Sequence, residues 1–166
     1  MSMKTIEQVI EKLGLIPLPE EGGFFRETFR SGRYVQSEAL GIRSECTAIY
    51  YLITDTSFSA LHAVDQDEIF HFYLGSPVEM FEIDLQGKGT KTIIGSDIFS
   101  NQHPQKIVPH GVWQGTKLLN PCAGAWALLG CTVAPGFEYE NFHFKNRAEL
   151  TTLFPHLESD IRDFTI

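Results

Sequence analysis

Hydrophobic positions change their period twice along the chain. Ile6, Val9, Ile10 and Leu13 recur at three- and four-residue steps and fall on one helical face. Thr5 and Gln8 stand three apart as a capping box, and Gly14 supplies a stop. This pattern predicts a short amphipathic helix, which Pro17 and Pro19 forbid from continuing. Beyond Gly22-Gly23 come short runs rich in aromatic and β-branched residues, at 24–30, 46–54, 68–74, 78–85, 90–94, 106–108, 125–133 and 142–144. Turn clusters such as Gly75-Ser76-Pro77 and Pro109-His110-Gly111 separate them. Many short strands at this spacing predict an all-β sandwich or barrel closed by antiparallel pairing. From Arg147 onward Leu150, Leu153, Leu157 and Ile161 return to helical spacing, interrupted by Pro155. The chain carries no repeat, linker or low-complexity tract, which predicts a single domain over residues 1–166.

Composition narrows the class. A chain of 166 residues, 43% of them hydrophobic and 13 of them Phe, supports one core of ordinary size and excludes disorder as the main state. Thirteen Lys and Arg stand against 21 Asp and Glu, a formal charge of −8, and no basic run interrupts the acidic balance. Such a surface repels phosphate backbones and anionic lipid heads, so neither nucleic acid nor a membrane is the expected partner. No stretch approaches the roughly 20 apolar residues of a membrane span, and the N-terminus alternates charge and hydrophobe unlike a signal peptide. A cytoplasmic location is the expectation. Cys46, Cys122 and Cys131 are widely spaced without a C-x-x-C, which predicts free, buried thiols.

The chemistry concentrates at Leu61-His62-Ala63-Val64-Asp65-Gln66-Asp67-Glu68, with Gly75 after six further residues. Residues two apart on a strand share a face, so His62 lies beside Val64, and Glu68 beside Phe70, Phe72 and Leu74. If both faces point into a barrel, a His and a Glu meet in an aromatic-lined cavity. Polar groups are costly to bury there, and such a placement marks a ligand, metal or proton-transfer site. His71 falls on the opposite face with Ile69 and Tyr73, and Trp113 faces away from Gln114 into packing. Tyr51 and Tyr139 are candidate phenols near the mouth, and Arg26 is a candidate anion anchor between Phe25 and Phe29. His103, His110 and His156 sit beside prolines or in turns and are given no role.

These motifs resemble those of the cupin superfamily. Its first motif has two His separated by one residue, then a Glu, then a Gly; His62, Glu68 and Gly75 fit, with Val64 in place of the second His. Its second motif is Pro-x-Gly-x-x-His; Pro109, Gly111 and Gln114 fit, with Gln114 replacing the His. A narrower resemblance, to the cupin-5 family, is carried by Leu13–Pro17, Glu21–Thr28, Asp67–Gly75, Val108–Gln114 and Val133–Phe137. That family usually has His-Pro-Glu-Gly-Gly where this chain has Pro19-Glu20-Glu21-Gly22-Gly23, so Glu21 is the residue that carries over.

The resemblance implies a double-stranded β-helix, the cupin jelly roll, with short N- and C-terminal helices, and it implies a homodimer. Exposed Ile69 and Tyr73 on the 68–74 strand, needing cover, point the same way. A typical cupin holds a transition metal with three His and one Glu. Val64 has no donor and an amide oxygen is a weak ligand, so no cofactor is expected and a metal is disfavoured. The function expected is therefore a metal-independent cupin enclosing a small polar, carbohydrate-like molecule, acting as a sugar or nucleotide-sugar isomerase or epimerase. His62 would take a proton beside a carbonyl, Glu68 or Asp67 would hold its tautomer, and Tyr139 would return a proton. Gln114 or Arg26 would stabilise the enolate, with Glu21, Phe70 and Phe72 completing the substrate site. The alternative is a non-catalytic module that binds a metabolite in the same cavity.

Overall fold

A computed structural model of the chain describes residues 4–166. Its first element, α1 (Ile6–Leu13), begins at the predicted capping box, with Thr5 and Gln8 each accepting from the other's backbone N–H, and ends on Gly14 in the left-handed region. Thirteen strands follow: β1 (Ile16–Pro17), β2 (Phe24–Arg30), β3 (Tyr34–Ser37), β4 (Gly41–Ser44), β5 (Thr47–Thr54), β6 (Ser59–Val64), β7 (Asp67–Gly75), β8 (Val78–Ile83), β9 (Gly89–Ile94), β10 (Gln105–Val108), β11 (Trp113–Leu118), β12 (Trp126–Ala134) and β13 (Phe142–Phe144). Two helices, α2 (Arg147–Leu153) and α3 (Glu158–Asp163), close the chain on either side of a short turn of helix beginning at Pro155.

The strands form an antiparallel six-stranded sheet, β1-β2-β5-β12-β7-β10, an antiparallel five-stranded sheet, β13-β6-β11-β8-β9, and a separate β3–β4 hairpin. Chain neighbours are distributed between the two large sheets, so the molecule is a jelly roll, as the motifs imply. Tyr51, Ile53, Phe70 and Leu129 of the larger sheet share one buried cluster with Val78, Met80, Ile94 and Leu118 of the smaller, which places the main core between them. On the outer side of the smaller sheet, Leu61, Phe81 and Ile83 pack against Leu150, Ile161 and Phe164 from the C-terminal segment. α1 covers one end of the larger sheet, Val9 packing with Leu52 and Leu128. Among the described residues no helix is long and apolar enough to cross a membrane.

Besides a slip of β6 against β11 between Gln114 and Thr116, two bulges in the larger sheet change which way side chains point. Between Glu27 and Phe29 the register of β2 against β5 slips, and Leu128 and Leu129 of β12 face Leu74 and Phe72 of β7, leaving Tyr73 as the extra residue. Leu74 therefore leaves the inner face it was expected to share with Phe72 and is 58% exposed. Phe29, past the first bulge, is 54% exposed on the outer face. The three cysteines are free, but only Cys131 is buried; Cys46 is half-buried and Cys122 is exposed in a turn, away from the apolar strands around it.

Candidate functional site

β6 and β11 of the smaller sheet pair with His62 directly opposite Gln114, while Glu68 comes from β7 across the barrel. The three side chains are 2%, 0% and 6% exposed, respectively for His62, Gln114 and Glu68. The Nδ1 of His62 lies 2.8 Å from the Ala60 carbonyl, which can only accept, so this nitrogen carries the proton. Nε2 then holds a lone pair and accepts from the Gln114 amide nitrogen at 2.8 Å; the same amide donates to Glu68 Oε2 at 3.3 Å. One amide thus ties the two sheets together at the floor of the barrel. The His62 ring also stacks on Phe142 of β13, at 5.1 Å between centroids.

Glu21 reaches the floor from the turn before β2. Its Oε2 is 3.8 Å from His62 Nε2, and its Oε1 accepts from Ser59 Oγ at 2.8 Å. The turn is pinned by Tyr51, whose hydroxyl donates to the Gly22 carbonyl, and by Ser57, whose Oγ accepts from the Gly23 N–H. Gly23 has φ +73°, and a Cβ there would press on the Tyr51 ring and the Leu52 carbonyl, so only glycine lets the strand start this close to the site. Burial raises the Glu68 carboxyl above its ordinary value, and the Glu21 charge adds to the rise while His62 and the Gln114 donor oppose it. Cys131 of β12 donates to Glu68 Oε1 at 3.6 Å, and its thiol is pushed well up by burial and then by the Glu68 charge.

Above this floor lies a cavity of about 430 Å³. Phe25, Tyr51, Phe70, Phe137 and Phe142 form its aromatic wall, and Val64 lines it beside His62. Tyr139 stands at the rim, 62% exposed and edge-on to Phe137, its phenol raised by partial burial and the charges of Glu21 and Glu27. The structure thus brings together His62, Glu68, Gln114, Glu21, Phe70 and, at the mouth, Tyr139.

Three expected roles change. Arg26 lies on the outer face, its guanidinium over the Tyr50 ring, because it precedes the β2 bulge; Arg30, past the bulge, is the arginine that lines the cavity. Phe72 packs into the core beyond the cavity and does not line it. Asp67 cannot hold the His62 tautomer, since it faces out one residue from Glu68 and accepts from the backbone N–H and Nδ1 of His110, contacts that lower its pKa; Glu68 meets His62 only through Gln114, and the Ala60 carbonyl does the holding. Cys131 and Arg30 were not predicted. The first needs the register of β12 against β7, where Cys131 pairs with Phe70, and the second needs the bulge.

The fit of a transition ion can be tested on the donors. Both ring nitrogens of His62 are engaged, Val64 offers none, and Gln114 turns its amide nitrogen, a donor with no lone pair to give, toward Glu68. Among the described residues no three His, Cys, Asp or Glu side chains stand close enough to hold an ion. The set does not fit a three-His, one-Glu centre.

The family model described as "Cupin superfamily (DUF985)" matches residues 7–145. The chain is similar to a hypothetical protein from Leishmania major, 30% identical with a TM-score of 0.91 over 98% of this chain and 99% of that one. It is also similar to a protein from Shewanella oneidensis, 26% identical with a TM-score of 0.89 over 99% of both chains. Oxalate decarboxylase from Bacillus subtilis shares the fold at 13% identity and a TM-score of 0.55, over 90% of this chain and 37% of its own. No curated protein matches the chain in sequence.

Proposed function

The chain belongs to the Cupin_5 family of the cupin superfamily, and from that premise we propose that it is a metal-independent cupin whose cavity holds a small molecule. The observation that carries this reading is the enclosed space of about 430 Å³ with aromatic walls above the His62–Gln114–Glu68 floor. Small-molecule sites have this size and character: mostly apolar, with a few convergent polar groups. Holding the molecule is the leading role, because metal-free proton abstraction beside a carbonyl needs a free donor for the developing oxyanion. The Gln114 amide donates to His62 and Glu68, Arg30 is tied to Glu27 and Glu138, and Arg26 is outside. Arg30, with four of its five N–H donors held within the protein, also leaves no free fork for the phosphates of a nucleotide-sugar.

One observation favours a second reading, an isomerase or epimerase. The Ala60 carbonyl fixes the His62 proton on Nδ1, so Nε2 is the basic atom and Tyr139 is a phenol at the mouth to return a proton. A substrate that displaces the Gln114 amide would gain that base. Native mass spectrometry of the purified protein, followed by denaturation, should reveal a retained small molecule. Incubated in D₂O, that molecule should leave the wild type unchanged and unlabelled. Deuterium incorporation that His62→Ala abolishes would establish the isomerase reading instead. A protein that retains nothing, and whose cavity resonances no small molecule shifts, would overturn both.

A further inference from the structure

The polar atoms facing the cavity are unbalanced in charge and in hydrogen bonding. Glu20, Glu21, Glu27, Glu68 and Glu138 line it, against one arginine. That arginine, Arg30, has four of its five N–H donors committed: its Nε and Nη2 donate to the two Glu27 oxygens at 3.0 and 2.9 Å, Nη1 to Glu138 at 2.6 Å, and Nη2 also to the Phe137 carbonyl. Lys106, the cation behind the floor, is tied to Glu82 at 2.8 Å. Glu68, buried and lining the cavity, has no cationic partner among the described residues and receives only long bonds from an amide and a thiol. Behind it, outside the residues that line the cavity, the Gln114 Oε1 is buried without any donor. Acceptors are thus in surplus at the floor, while the donors of His62, Tyr51 and Cys131 are each taken by the protein.

We infer that the molecule this cavity takes carries a protonated amine on an apolar body. The inference rests on the small-molecule reading of the same cavity and specifies the class. An ammonium supplies N–H donors and the positive charge that Glu68 and Glu21 lack. The aromatic wall presents negative ring faces to the same cation and apolar surface to the rest of the molecule. A sugar matches the floor less well, because each hydroxyl brought there adds an acceptor where the donors of His62, Tyr51 and Cys131 are already taken. A carboxylate or phosphate ester is repelled at the rim by Glu20, Glu27 and Glu138 as well as at the floor.

Three probes of matched shape decide it: cyclohexylmethylamine, cyclohexylmethanol and cyclohexanecarboxylate, titrated calorimetrically into the full chain at pH 7. The amine should bind at least about tenfold tighter than the alcohol, the difference between a charge-assisted and a neutral hydrogen bond, and the carboxylate weakest of all. Glu68→Gln should remove most of the amine's advantage while leaving the alcohol where it was. Should that variant not fold, Glu21→Gln serves the same purpose, and the ranking in the wild type stands by itself. Equal binding of amine and alcohol, or preference for the carboxylate, overturns the amine while leaving the cavity a binding site. No binding by any probe, with no retained molecule in native mass spectrometry, overturns both.

Discussion

The Glu68 carboxyl carries a cost that depends on pH. It faces Glu21, His62 and Cys131, and burial is the largest influence on it, raising its pKa above the ordinary 4.5. A carboxyl whose folded value is raised keeps its proton in the native state where the unfolded chain has lost it. Its favourable contribution is complete below about pH 4.5 and disappears as pH rises through the folded value. Glu68→Gln keeps the shape and never ionises. The variant should therefore gain stability over the wild type as pH rises from 4.5 to 8, by at most about 1.4 kcal/mol per pH unit. Denaturant unfolding of both proteins across that range measures it, and a constant difference would mean that the buried carboxylate is not penalised. His62 shows the complementary case, a residue whose proton is placed by a backbone carbonyl two residues away in its own strand.

Two bulges decide what the strands present, and they mark the boundary of what the sequence makes legible. α1 and most strands are legible because local chemistry sets them: a capping box, a glycine stop, aromatic runs between turns. The β3–β4 hairpin is not, since Tyr34 and Ile42 are 68% and 66% exposed and no burial imposes alternation on it. His62, Glu68 and Gln114 are legible because motif spacing fixes them, and the slip of β6 against β11 falls just past the His62–Gln114 pair, between Gln114 and Thr116. Arg30 and Leu74 are not, because a slipped residue at Thr28 and Tyr73 reverses every side chain beyond it and leaves no mark in hydrophobic period. Register can be tested by chemistry. β6 puts positions 62 and 64 side by side, β11 sets 114 opposite 62, and β7 brings 68 from the other sheet. Val64→His combined with Gln114→His should then give three imidazoles and a carboxylate around one point, binding Ni²⁺ at about micromolar affinity where the wild type does not. Calorimetry and elemental analysis read the gain, and a folded double variant with none would mean that the four positions do not converge.

The outer face of the larger sheet is a surface that packing within the chain leaves open. α1 covers only one end of it. Across the uncovered part the registers align Phe29, Ala48, Thr132, Ile69 and Ile107 in a row that crosses five strands without a charge. Phe29 and Ile107 at its ends are 54% and 55% exposed. In the neighbouring row Tyr73 stacks on His71 and lies over Gly130, where a Cβ would run into its ring, so this part of the face is flattened by an aromatic side chain 46% exposed. A flat apolar row with small residues at its middle is self-complementary: a two-fold axis near Thr132 would lay Phe29 of one copy along Ile107 of the next. A stable pair needs about 800 Å² covered on each partner. We therefore expect a homodimer through this face, formed on the opposite side of the sheet from the cavity. Light scattering at micromolar concentration should give about twice the chain mass. Ile69→Lys, placing a charge in the row beside Thr132, should give a folded monomer that still binds the amine probe, because no cavity residue lies on that face. A wild type of single-chain mass, or an Ile69→Lys variant that stays dimeric, would move the interface elsewhere.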